Sequence, residues 1–264
     1  MYERYLDAVL PPASRHYNAS GRWHLVASIA EELLSRGALR VLDCAAGTGF
    51  PALDLALTMP GNYEIHCCDG DPAMVEKLAE RASQRFMPLS RVTPSRPRHP
   101  GGNDALVVDW IDLGQIAGHY DYVLCRGNAL AYADTWTGGG DVATTLRIAD
   151  YLAMMVHKVR PGGYLHVDAP WDAELPVVSH RLAAPGLRAI WEHVDIVEDR
   201  RKWMVSVEPQ TKGEPWLTFT RYSSLLTIHD VAIALKELRL DDTTPFQLKH
   251  ERANYGTIIA RKPG

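Results

Sequence analysis

The residues with the clearest chemical potential form one turn, Val41-Leu-Asp43-Cys-Ala-Ala-Gly47-Thr-Gly49-Phe-Pro. It follows a short apolar run and precedes a helical one, which is where an open α/β sheet places its ligand. Gly47 and Gly49 let backbone come close to a ligand at points where a Cβ would collide. Asp69 closes the next apolar run, 20 residues after Gly49. That is about the spacing at which a carboxylate takes the two hydroxyls of a ribose. Turn and acid together favour a nucleoside ligand over a merely tight turn.

The identity of the nucleoside turns on Asp43. Gly47-Thr-Gly49-Phe-Pro-Ala52 also satisfies G-x-G-x-x-G/A, so a nicotinamide-dependent or flavin-dependent oxidoreductase is a rival reading. A carboxylate inside the motif strand would lie close to the phosphates of a dinucleotide. It suits a ligand with no phosphate and a positive charge. S-adenosylmethionine, with an ammonium and a sulfonium, has that chemistry.

These residues need a sheet to hold them, and the hydrophobic pattern supplies one. Gly21 to Gly37 reads as a helix with Leu25, Ile29 and Leu33 on one face. Leu39–Asp43 is a buried strand, Phe50–Thr58 a helix, and Tyr63–Asp69 a second strand. Asp71-Pro72 opens another helix, with Asp as cap and Pro in the first turn. Strands at Ala105–Asp109 and Asp121–Arg126 follow, then a helix over Asp141–Val159, stopped by Pro161-Gly-Gly163. Tyr164–Asp168 is the fifth strand. Strand–helix alternation of this kind means a parallel sheet covered on both faces. After Pro185 the texture changes to Leu187–Val197, Lys202–Pro209 and Trp216–Thr227, an antiparallel meander. Thr227 then caps a helix carrying Val231, Leu235 and Leu238, and Phe246–Lys249 and Gly256–Arg261 close the sheet. No linker divides two folded units, so the reading is one domain over 1–264. Residues 1–36 supply a lid and helix, and 185–227 form the inserted strands.

The 264 residues are 46% hydrophobic and 23% charged, with a formal net charge of −4, an ordinary globular balance. The slight acidity argues against wrapping nucleic acid or sitting on an anionic membrane. No run approaches the ~18 apolar residues of a spanning helix, and Met1-Tyr-Glu-Arg-Tyr lacks a signal peptide's basic and apolar regions. The four cysteines, Cys44, Cys67, Cys68 and Cys125, lie in apolar runs without zinc-ligand spacing. They read as reduced and buried in a cytoplasmic protein, with no metal site. The basic segment 89–104, rich in Pro and Gly, has no interleaved aromatics for base stacking and reads as a solvated loop. A homo-oligomer is compatible with all of this.

With these elements in order, the chain resembles the class I S-adenosylmethionine-dependent methyltransferases. VLDCAAGTG is similar to that superfamily's first motif, with Ala45 where many members have Gly. CCDGDPAMVEKL is similar to the second, VVDW (107–110) to the adenine-contact segment, and VRPGGYLHVD (159–168) to the approach to the fifth strand. The expected fold is therefore α/β: a Rossmann-like, seven-stranded, mostly parallel sheet with helices on both faces, plus the meander. Tyr120-Asp-Tyr-Val-Leu-Cys-Arg-Gly127-Asn128-Ala-Leu-Ala-Tyr further resembles the fourth-strand motif of the glycine/sarcosine N-methyltransferase group. That group carries an Arg just after the fifth-strand Asp, where this chain has Ala169, so glycine itself is not the expected acceptor.

The resemblance implies roles. Asp43 orients the methionyl portion, with Ala45, Gly47 and Gly49 giving backbone approach, and Asp69 takes the ribose. Met74 packs on the adenine, Asp109 accepts from its amino group, and Trp110 lies beside the ring. Arg22 grips the cofactor's carboxylate. Gly127 and Asn128, at the carboxyl edge of the fourth strand, orient the acceptor. Around them, Tyr17, Tyr132, Asp134, Trp136, Asp168, Trp171 and Asp172 form an acid–aromatic pocket suited to a cationic acceptor. No His stands in an obvious base position, since His66 and His166 lie within strands. The expected activity is methyl transfer from S-adenosyl-L-methionine, leaving S-adenosyl-L-homocysteine. The expected acceptor is an amine, amino acid or guanidino compound. O- or C-methylation in a natural-product pathway is the alternative.

Overall fold

The computed structural model describes residues 22–59, 63–84, 107–133, 145–173, 178–181, 186–197, 200–211 and 213–264. Its main sheet joins β1 (Arg40–Asp43), β2 (Glu64–Cys67), β3 (Tyr120–Cys125), β4 (Val159–Pro170) and β9 (Tyr255–Arg261) in the order β2-β1-β3-β4-β9. The first four strands run parallel and β9 runs antiparallel to β4. Chain order reverses direction at β1, where β2 lies on one side and β3 on the other. Ligands bind at such a switch point in open α/β sheets.

Strand alternation explains the two cores. Leu42, Val123, Leu165 and Ile258 point to one face and pack against α4 (Thr145–Lys158) and α5 (Ile228–Glu237). Val41, Ile65, Leu124 and Ile259 point to the other. There they meet α1 (Arg22–Ser35), α2 (Ala52–Thr58) and α3 (Pro72–Gln84). The α1 face read from the sequence is the buried one, since Ile29 and Leu33 are fully inaccessible. Thr227 forms a complete capping box with Asp230 at the start of α5, which satisfies two of the donors a helix start leaves unpaired.

The sheet has five strands among the described residues, where seven are expected. At one edge, the described part of the strand expected over 105–109, residues 107–109, makes one parallel bridge, Asp69 with Val107. At the other edge, the expected strand Phe246–Lys249 meets β9 only through the bridge Phe246–Thr257, and Asp241 adds a separate bridge to Arg261. Pro161-Gly-Gly163 stops α4 as expected but does not delay the strand, and β4 begins at Val159. Gly162 and Gly163 exchange backbone bonds with Lys262. A Cβ on Gly163 would lie 2.8 Å from the Asp121 carbonyl oxygen, so only glycine fits against β3 there.

The meander is a separate four-stranded antiparallel sheet in chain order. It comprises β5 (Val178–Arg181), β6 (Leu187–Val197), β7 (Arg200–Pro209) and β8 (Leu217–Ser224). It begins one strand earlier than the sequence reading placed it. Its buried face carries Trp203, Val205 and a fully buried Arg201. That guanidinium donates to the Ala173 carbonyl, the Ser223 hydroxyl and the Ser224 carbonyl.

Candidate active site

A cavity of about 260 Å³ opens at the carboxyl ends of β1, β2 and β3. Its walls come from the glycine turn (Cys44–Thr48 and Phe50), from Asp69, Gly70 and Met74, from Asp109 and Trp110, and from Arg126, Gly127, Ala129, Ala133 and Tyr151. Seven of the residues singled out from the sequence are therefore brought together: Ala45, Gly47, Asp69, Met74, Asp109, Trp110 and Gly127.

The turn is held from behind by side chains. The Gly47 N–H donates to Asp69 Oδ2 at 2.8 Å, and the Asp71 N–H donates to Asp69 Oδ1 at 3.0 Å. Arg81 of α3 grips Thr48 through both its carbonyl and its hydroxyl. Asp69 thus fixes the turn and faces the cavity, and each of its oxygens keeps a second lone pair. Burial pushes its carboxyl up to about 6, against the lowering effect of those two bonds. Gly47 sits at φ +51, and a Cβ there would meet nothing within 4 Å, so this part of the turn is an open cradle. Gly49 works differently: a Cβ on it would lie 2.5 Å from Leu53 Cδ1. It does not line the cavity, and its missing side chain lets α2 pack close.

Asp43 lies beneath the turn, fully buried. Its Oδ1 accepts from the Ala45 N–H at 3.3 Å, and its Oδ2 has no partner among the described residues. Burial raises its carboxyl to about 7, assisted by the neighbouring Asp69. On the far wall, Trp110 donates its indole N–H to the Cys44 carbonyl at 2.6 Å and packs edge-to-face on Tyr151. Asp109 caps the short 3-10 helix Trp110–Gln115 through the Ile111 N–H. These bonds fix the two residues as a rim.

At the end of β3 the chain turns through Gly127 (φ +82) and Asn128 (φ 60) into the 3-10 helix Ala129–Tyr132. A single carboxylate sets this turn. Asp168, at the end of β4, accepts from the Gly127 N–H at 2.9 Å and the Asn128 N–H at 2.7 Å. Arg126 in turn pairs with Asp168 at 3.3 Å and with Glu251. The Asn128 side chain is buried, and neither its Oδ1 nor its Nδ2 has a partner among the described residues.

Of the acceptor residues read from the sequence, the four that are described, Tyr132, Asp168, Trp171 and Asp172, do not line this cavity. Asp168 is buried, with both oxygens committed to the β3 turn, so it is an internal anchor. Trp171 donates to Gln247 and packs on His229 and over Gly256, behind the sheet edge. Asp172 is exposed and outside the cavity. Tyr132 packs edge-to-face on Trp191 of β6. Tyr17, Asp134 and Trp136 lie outside the described residues, as does the side chain of Arg22. His66 bonds Tyr120 and Glu64, and His166 bonds Tyr122. Burial holds both imidazoles below their ordinary pKa, and neither lines the cavity.

Sequence reasoning missed Arg126, Thr48 and Tyr151. Arg126 left a signal: a lone basic residue ending an apolar strand, directly before Gly-Asn. Tyr151 left none, because an aromatic on the apolar face of a helix reads as core.

The architecture is the class I S-adenosylmethionine-dependent methyltransferase fold. An S-adenosylmethionine-dependent methyltransferase from Clostridium acetobutylicum superposes with a TM-score of 0.62 at 15% identity, over 90% of this chain and 91% of that one. An amino pentose methyltransferase from Micromonospora echinaspora, solved with S-adenosylmethionine bound, superposes at 0.60 and 18% identity, over 96% and 98%. In sequence, 103 residues are 32% identical to a glycine/sarcosine N-methyltransferase of Halorhodospira halochloris, covering 39% of this chain. The match takes in 32% of that relative's length, so the chain spans about a third of the curated relative it matches. No family model matches the chain.

Proposed function

We propose that this protein transfers a methyl group from S-adenosyl-L-methionine to a nitrogen of a small molecule. The observation that carries the reading is the cradle at the switch point. There the open Cβ position of Gly47, a carboxylate already bonded to that glycine, and the Asp109–Trp110 rim surround one cavity. The residues fit the group. Asp69 has free lone pairs for ribose hydroxyls, Asp109 and Trp110 suit the polar edge and flat face of adenine, and the buried Asp43 suits a nearby cation. A dinucleotide would bring phosphates against Asp43, which like-charge repulsion disfavours.

When bound, the cofactor supplies an electrophilic methyl carbon on a sulfonium. The protein's contribution is geometry. Asp69, tied to Gly47, fixes the cradle, and Asp168 fixes Gly127 and Asn128 on the opposite side of the β1–β3 crevice. Holding donor and acceptor within about 3–3.5 Å and in line supplies much of the acceleration in such a displacement. The Asn128 amide, buried and with no partner among the described residues, is the group we assign to orienting the acceptor. No histidine among the described residues lines the cavity, which favours a neutral amine that needs no strong base over a phenol or hydroxyl. By the resemblance of the β3 segment, amino acids, amines and guanidino compounds are the acceptors to screen.

The test has two arms. Titration calorimetry should give micromolar or tighter binding of S-adenosyl-L-homocysteine, and tight binding of NADH with none of the sulfonium cofactor or its product would end the reading. Labelled-methyl transfer across amines, amino acids, guanidines and phenols should place the label on nitrogen. Label on phenolic oxygen alone would move the reaction to O-methylation.

A further inference from the structure

We infer that His24 and His250 form a two-histidine site for a divalent transition-metal cation of the Zn²⁺, Ni²⁺ or Cu²⁺ class, apart from the donor cavity. His24 lies in the first turn of α1, and His250 in the turn that precedes β9. No window of sequence brings the two together, yet their rings stand 4.9 Å apart between centres, inclined by 30°. Both residues are exposed, and neither lines the cavity.

Spacing, free nitrogens and rigid supports argue for the site together. Zinc takes imidazole nitrogen at about 2.0–2.1 Å in a tetrahedral shell, and two imidazoles sharing one such ion hold their ring centres roughly 5 Å apart. The buried His66 and His166 have ring nitrogens taken by neighbours. Among the described residues no hydrogen bond or ion pair engages the ring of His24 or His250. The backbones that carry them are fixed. His24 is followed by the buried Leu25 and Val26, and its carbonyl accepts from the Ser28 hydroxyl at 3.0 Å. His250 sits at φ 66, a region that residues other than glycine seldom occupy. Its turn is closed by the Glu251 N–H on the Leu248 carbonyl, with Leu248 buried and Glu251 paired to Arg126. Supports held in place before an ion arrives lower the ordering cost of binding. Imidazole selects zinc, nickel and copper over magnesium and calcium, which prefer oxygen. No group of three His, Cys, Asp or Glu suited to a metal occurs among the described residues, so water completes the shell. A shared ion would staple the start of α1 to the turn beside Glu251.

The test uses the full chain, stripped with a chelator and titrated with zinc chloride at pH 7.5, because metal binding needs neutral imidazole. Calorimetry in a buffer that does not bind metals should show a site with a Kd on the order of tens of micromolar. His24→Ala and His250→Ala, both at exposed positions, should each weaken it by at least about tenfold. Magnesium chloride at the same concentrations should give no binding. A ligand taken only by the folded chain stabilises it by mass action. Zinc should therefore raise the melting temperature of the wild-type protein and leave that of either variant unmoved. Absence of zinc binding, or a Kd weaker than about 1 mM, would overturn the inference as adventitious association only. So would a loss of less than tenfold in either variant, which would assign the ion to other groups. None of these outcomes depends on methyl transfer, so the proposed function stands or falls separately.

Discussion

Replacing Asp69 by asparagine separates two tasks that one carboxylate performs. In the free protein Asp69 accepts from the Gly47 and Asp71 N–H groups, and a bond to a charged acceptor stabilises by about 1.5–3 kcal/mol. Against that, its carboxyl is raised from 3.8 to about 6. At about 1.36 kcal/mol per pKa unit, holding it ionised at pH 8 opposes folding by at most about 3 kcal/mol. The figure is smaller to the extent that Asp69 is open to solvent in the cavity. The asparagine carbonyl keeps one of the two backbone bonds and removes the charge. Bonds lost and burial relieved therefore nearly cancel, and stability at pH 8 should change by no more than about 1 kcal/mol. Ligand affinity has no such compensation, because ribose hydroxyls meet an amide in place of a carboxylate. S-adenosyl-L-homocysteine should bind about 1.5–3 kcal/mol more weakly, a loss of roughly ten- to 150-fold. Denaturant unfolding gives the first quantity and calorimetry the second. A loss of more than 3 kcal/mol of stability, with unchanged affinity of the folded fraction, would show that Asp69 only anchors the turn.

Further outcomes follow from the same geometry. Asp43 and Asp69 both have raised pKa values, so their contribution to the stability of the ligand-free protein is complete below about pH 4 and is lost as pH rises through about 6 and about 7. The melting temperature should rise from pH 8 to pH 6, and a flat profile would contradict the burial of Asp43. A cationic ligand favours the Asp43 carboxylate, so binding below pH 7 should release a proton, measured by calorimetry in buffers of different ionisation enthalpy; no release at pH 6 would place the ligand's charge elsewhere. Gly47→Ala should cost the fold only about 1–2 kcal/mol for its left-handed backbone while weakening the adenosyl ligand. Gly49→Ala, driving a Cβ into Leu53, should cost about 2–4 kcal/mol, and equal effects would mean that the two glycines do not divide the labour. Asn128→Gly keeps the backbone of the turn and removes the amide. It should leave the melting temperature nearly unchanged and lower kcat by roughly ten- to a hundredfold, whereas an unchanged kcat would take Asn128 out of the acceptor's path.

The cofactor half was legible because its signals are local. Glycines at positive φ, an acid closing a strand and a Pro-initiated helix declare themselves over a few residues, and Gly47, Asp69, Met74, Asp109 and Trp110 do converge. Strand number was less legible. The segments read as strands over 105–109 and Phe246–Lys249 are bridged only at Val107 and Phe246, and ladder formation depends on how the sheet edge twists, which no window of sequence contains. On the acceptor side, the four described residues singled out from the sequence, Tyr132, Asp168, Trp171 and Asp172, do not line the cavity. Asp168 carries the same carboxylate as a substrate ligand would, and only the positions of two N–H groups 40 residues away turn it into an anchor. Trp171 likewise reads as a rim aromatic until Gly256 and His229 are seen to enclose it.

The contact between Tyr132 and Trp191 bears on how such an enzyme diversifies. It joins the helical turn that leaves the cavity wall to a sheet contributing nothing to the glycine cradle. Trp191 in turn packs on Trp203 within that sheet, so a change of side-chain size on β6 or β7 can shift Tyr132 without disturbing Asp69 or Gly47. A substitution there therefore reaches the 3-10 turn after β3 without touching the glycine cradle. If the proposed acceptor lies beside that turn, swapping β6 or β7 residues should change the product range at constant donor affinity.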